Sequence, residues 1–121
     1  MQDSTWVGIS AMRSQAGSAL ILPFVLMHSV VLVIIAFAGD ALGDSSVQLA
    51  VAALAVIGSI WTTLNFDGVL ADVAALSRDM PDGVASSNYG AIWQKAPIGA
   101  FRVMGVVFTA SIVVAEILAI Y

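Results

Sequence analysis

The chain has 121 residues, 60% of them apolar and only 10% charged, against roughly 25% charged in an ordinary soluble domain. Four Lys and Arg against eight Asp and Glu give a net charge of −4, which argues against a nucleic-acid partner, because that role needs a clustered basic face. Cysteine is absent, so disulfide frameworks, thiolate metal sites and Cys nucleophiles are excluded.

At the N-terminus, residues 4–16 place Trp6, Ile9, Met12 and Ala16 at helical spacing, with Ser, Gln and Arg13 between them. This predicts a short amphipathic helix lying in the membrane interface. Gly8 costs such a helix about 1 kcal/mol relative to Ala, and a frayed tail is the alternative. Between Arg13 and Asp40 lie 26 residues without Asp, Glu, Lys or Arg, and a spanning helix needs only about 20 apolar ones. The first span is therefore placed at about 18–38. A cleavable signal peptide is the rival reading, since Ala36-Phe37-Ala38 has the small-x-small form of a cleavage site. The apolar run is longer than the usual ~7–15 residues of such a peptide and only Arg13 precedes it, so a retained membrane helix is preferred.

Gly39 to Ser46 is a short connection holding Asp40 and Asp44. The second span follows at 45–66, 22 residues without a charge. Beyond it, Val69, Val73, Leu76 and Met80 keep one apolar stripe, which predicts that the helix runs on to residue 80 before Pro81 ends it. That helix would be roughly 54 Å long at 1.5 Å per residue, well beyond a hydrocarbon core of ~30 Å; if it kinks, Gly68 is the expected place. Met80-Pro81-Asp82-Gly83 reads as a turn, and residues 81–97 as a loop. The third span is placed at 98–120. The expected fold is an all-α membrane protein of three transmembrane helices, a single membrane domain with an N-terminal interfacial helix.

Orientation rests on the four basic residues. Arg13 precedes the first span, and Arg78, Lys95 and Arg102 lie between the second and third or at its entrance. The positive-inside rule then places the N-terminus and the 67–97 connection in the cytoplasm and the C-terminus outside, in a membrane of inner or plasma type. Trp6, Tyr89, Trp93 and Arg102 are the expected interfacial anchors.

His28, the only histidine, falls near the middle of the first span. An intramembrane imidazole is a functional candidate by default. It could ligate a haem or chlorophyll-type metal, contact a quinone, relay a proton, or bond a facing helix. One His cannot complete a bis-His haem site without a partner. Glu116, the only Glu, lies five residues from the C-terminus and is expected near the outer headgroups. Arg102, Gly105, Thr109 and Glu116 share a face of the third helix, and that face is expected to turn toward protein. Ala55, Ser59 and Thr63 on the second helix form a small-residue row at spacing four, as do Ser111, Ala115 and Ala119 on the third. Such rows permit close helix packing. Zinc spacings, phosphate-binding glycine loops and Ser-His-Asp constellations are expected to be absent.

An amphipathic start, three spans and a long second helix with Leu64-Asn65 near its inner end resemble bacterial diacylglycerol kinase in layout. That family sets glutamates around an asparagine there, and the resemblance would imply phosphoryl transfer to a lipid through carboxylates. Thr62 and Val69 stand here where acidic residues are required, so the likeness is one of architecture. The function expected is an accessory or structural subunit of a membrane protein complex, not an enzyme, with other integral membrane subunits and the bilayer as partners and no nucleic acid. Two alternatives stand beside it: a cofactor- or quinone-contacting anchor in electron transport or photosynthesis, using His28, and a self-assembling, holin-like pore.

Overall fold

The computed structural model describes residues 2–121, and every regular element among them is helical. α1 (Asp3–Phe37) is followed by a 3-10 turn (Gly39–Gly43), then α2 (Ser45–Arg78), two short helices α3 (Asp82–Ala85) and α4 (Asn88–Gln94), and α5 (Ile98–Ile120). Three of these, α1, α2 and α5, are long and apolar enough to cross a membrane. The fold is that of an all-α membrane protein.

Local chemistry accounts for the boundaries. α1 stops where Gly39 takes a left-handed φ of 52°, the conformation that ends helices and that only glycine adopts without steric cost. Asp44 then caps α2, its carboxylate accepting from the Ser46 amide at 2.7 Å. The Ser46 hydroxyl, and after it the amides of Ser46 and Val47, hold this exposed carboxyl below its ordinary range. α2 continues past Gly68 without interruption and ends at Arg78. Residues 81–97, read as a loop from sequence, contain α3 and α4; each is too short for apolar periodicity to reveal it. Ser87 caps α4 by accepting from the Gly90 amide at 3.0 Å.

α2 is the central helix, with α1 and α5 packed along it. At the end carrying the 3-10 turn all three converge on a core of Val31, Val51, Ala52, Ala55 and Ile120. Ala55 is fully buried there; a small side chain at that point lets the backbones approach. Gln48 donates from Nε2 to the Ile120 carbonyl at 3.0 Å, satisfying an acceptor that the last turn of a helix leaves orphaned. Toward the α3–α4 end two ion pairs take over. Arg13 reaches Asp72 at 3.2 Å, joining α1 to α2, and Arg102 makes a two-pronged contact with Asp67, joining α5 to α2.

Two expectations are corrected at this end. Residues 4–16 do not form a separate helix; they are the first turns of α1, continuous with the span. Trp6 is not a lipid-facing anchor. It is 1% exposed, and its indole N–H donates to the Leu76 carbonyl at 2.8 Å, one of the acceptors that the end of α2 leaves free. Trp93 packs edge-on against Trp6, with ring centroids 5.4 Å apart, and Tyr89 lies against Trp93. Tyr89 itself is exposed and Trp93 half-buried. A tryptophan with an apolar body and one donor satisfies a carbonyl and fills space together, and this holds the first turns of α1 upright against α2.

Gly90 is buried with its Cα against the Val84 carbonyl, where a Cβ would overlap that oxygen. Gly90→Ala should therefore undock α4 from α3 and speed proteolytic cleavage within 81–97. Trp6→Phe should leave the Leu76 carbonyl unsatisfied and cost about 1–3 kcal/mol, read as a lowered unfolding midpoint in detergent.

Candidate functional site

The three long helices each contribute one polar side chain to a single buried cluster. His28 comes from α1, Ser59 from α2 and Glu116 from α5, at 6%, 2% and 2% exposure. The imidazole Nδ1 lies 2.8 and 2.9 Å from the two carboxylate oxygens of Glu116. On the other side of the ring, Nε2 is 3.2 Å from the Ser59 hydroxyl. Phe24, one turn before His28, packs edge-on against the imidazole with centroids 4.3 Å apart. With a doubly protonated ring, Nε2–H donates to Ser59; with Nδ1 alone protonated, Ser59 donates to Nε2.

Glu116, expected near the outer headgroups, is buried within the bundle against His28 of α1, one turn before the Gln48–Ile120 contact that ties the end of α5 to the first turn of α2. The expected absence of a Ser-His-carboxylate constellation is corrected as well. Residues 28, 59 and 116 are joined only by tertiary packing, and no spacing along the chain relates them. A usable signal was present in pieces: Glu116 lies on the face with Arg102, Gly105 and Thr109, and Ser59 lies in the row of Ala55 and Thr63. An ionisable side chain on a face that meets protein, in a chain with one intramembrane His, is the natural partner for that His.

The remaining site candidates fall on two sides of α5. Gly105 and Thr109 are half-buried and face α2; the ring of Phe66 lies over Gly105 at ordinary contact distance from where a Cβ would stand. Arg102 is held by Asp67, with Nη2 at 2.7 Å from Oδ2. On α2, Ala55 and Ser59 are buried and Thr63 is half-buried. Ser111 and Ala115, in contrast, are exposed on the outward face of α5 and take no part in packing within the chain.

Serine on Nε2 and carboxylate on Nδ1 is the order of partners that activates a serine nucleophile. The surroundings do not complete that chemistry. Ser59 sits in the interior of an unbroken helix, so the amides around it are committed to the helical ladder and none is free to receive an oxyanion. The cluster can instead tie three helices together, since each helix supplies one member. Among the described residues, no buried side-chain nitrogen or oxygen lacks a partner, and no group of three metal-ligating side chains occurs.

The arrangement defines a three-helix membrane protein whose intramembrane polar groups bond one another. Comparison with protein-family models, curated proteins and solved structures finds no match.

Removing one member of the cluster should cost more than removing two. His28→Leu leaves a buried carboxylate alone and should destabilise by about 3–5 kcal/mol, whereas His28→Leu with Glu116→Leu should recover much of that loss. A double-mutant cycle on unfolding in detergent measures the coupling. Ser59 should resist labelling by a fluorophosphonate, because the tetrahedral adduct finds no oxyanion donor.

Proposed function

We propose that the protein is a small structural subunit of a larger integral membrane assembly, without catalysis of its own. The carrying observation is the way polar groups are distributed. His28, Ser59 and Glu116 hold the chain's own helices together, while on the outward face of α5 the small side chains Ser111 and Ala115 lie between the exposed Val107, Val114 and Leu118. Small residues set among larger ones in a bilayer let a partner helix approach closely, and packing of this kind drives association where lipid tails are as apolar as the helices. Other integral membrane subunits are the partners this reading requires. The basic residues Arg13, Arg78, Lys95 and Arg102 support an N-terminus inside and a C-terminus outside.

A second reading has one specific observation in its favour. A carboxylate on Nδ1 is the arrangement that orients a metal-binding imidazole, so His28 could offer Nε2 to a haem, a chlorophyll-type pigment or a quinone if Ser59 turned aside. Under this reading His28→Gln shifts or removes a visible absorption band; under the structural reading the purified assembly is colourless.

Purification in mild detergent, followed by mass spectrometry of co-purifying proteins and an absorption spectrum, separates the two. The structural reading expects a colourless assembly with other membrane proteins, loosened by Ala115→Leu while the chain itself keeps its helical signal. A lone chain, unaffected by Ala115→Leu, would overturn it. Reporter fusions at each end should place the N-terminus in the cytoplasm and the C-terminus outside; the reverse would mean the four basic residues misread the orientation.

A further inference from the structure

α1 and α5 meet at the cluster of His28 and Glu116 but separate toward the α3–α4 end, opening a cleft of about 310 Å³ over α2. Leu20 and Phe24 form one wall, Phe66 and Gly105 the floor, and Val106 and Phe108 part of the other wall. Phe24 closes the cleft beneath His28. From Arg102 to Thr109 the walls run about 10 Å along the helix axis. The lining is almost wholly apolar, and an apolar cavity does not hold water. In a bilayer, an open apolar cleft of this width is filled by hydrocarbon.

The polar groups at its mouth give that hydrocarbon a headgroup. Arg102 and Asp67 line the same cleft and sit at its α3–α4 end, bonded to each other through Nε–Oδ1 and Nη2–Oδ2. Their side chains are still 46% and 40% exposed. This pairing uses two of the five guanidinium N–H groups and leaves carboxylate lone pairs free. One donor cation and one acceptor anion therefore stand side by side at the mouth of the cleft, where Asp67 ends the uncharged run 45–66.

We propose that the cleft binds one acyl chain of an aminophospholipid, with the lipid phosphate accepting from Arg102 and its primary ammonium donating to Asp67. A zwitterion with a phosphate and an N–H-bearing cation complements this pair. Phosphatidylglycerol offers the phosphate but places no cation at Asp67. Phosphatidylcholine carries a cation that cannot donate a hydrogen bond. The site is independent of what the outer face of α5 contacts.

The test is reconstitution of the delipidated full chain into nanodiscs of equal parts phosphatidylethanolamine, phosphatidylglycerol and phosphatidylcholine, with native mass spectrometry of the lipid retained. Wild type should keep one phosphatidylethanolamine in preference to the other two by about three- to fivefold, the factor one exposed ion pair supplies. Asp67→Asn should turn the preference to phosphatidylglycerol, because the freed guanidinium then faces an anion alone. Gly105→Leu, whose side chain would enter the cleft, should abolish retention of the lipid, and Thr109→Leu provides a second blocking variant. Circular dichroism should show the helical content of each variant unchanged. Equal retention of the three lipids by wild type would overturn the proposal, as would a wild-type preference for phosphatidylglycerol or retention undiminished in both blocking variants.

Discussion

An imidazole and a carboxylate inside hydrocarbon have no water to turn to, and their polar atoms must be satisfied by protein. The bond between His28 and Glu116 meets that requirement across 88 residues of sequence. Once it forms, α1 and α5 are fixed against each other at one depth and one rotation, and Ser59 fixes α2 to both. The apolar side chains around the cluster cannot specify this alone, since helices in a bilayer gain little from apolar contact and slide or rotate at small cost. The polar cluster sets the register, and Val31, Ala55 and Ile120 then fill the space beside it.

The same logic extends to the α3–α4 end with a different dielectric. Arg13–Asp72 and Arg102–Asp67 tie α2 to each neighbour, but all four side chains are 40% exposed or more, and solvent-screened pairs of this kind contribute little. Trp6 is the stronger fastening there, because its buried N–H meets a carbonyl that the end of α2 would otherwise leave unpaired. Satisfied acceptors thus define both ends of the bundle: Leu76 by Trp6, Ile120 by Gln48. Between them, where α1 and α5 part, the protein leaves a cleft rather than a packed seam.

This division bears on function. A side chain bonded on both of its nitrogens by its own chain is a poor ligand for anything else, and a serine without oxyanion donors is a poor nucleophile. The order of partners at Ser59, His28 and Glu116 matches that of a catalytic relay, yet an order of bonds is not a reaction. Preorganised donors are also needed, and a continuous helix leaves no backbone amide free at Ser59. What the cluster does in this structure is hold the chain's own three helices together.

Much of the fold was legible in the sequence because the bilayer imposes it locally. Uncharged runs of about 20 residues must be helices when backbone groups have no solvent, and the apolar stripe of Val69, Val73, Leu76 and Met80 marks a helix that outruns the span. Gly39 and Asp44 end one helix and start the next through their own backbone and side-chain chemistry. The short α3 and α4 carried no periodic signal, and α4 docks through Gly90, whose need for close approach to Val84 exists only after folding. The site divides in the same way. The residue type of His28 marked it as a polar group needing a partner, but Glu116 looked like a headgroup-level carboxylate and Trp6 like an interfacial anchor. Which partner each one finds depends on the depth at which α5 ends against α2 and on how α1 stands against Leu76. Depth and rotation of one helix against another are properties of the packed bundle, and only the tertiary structure decides them.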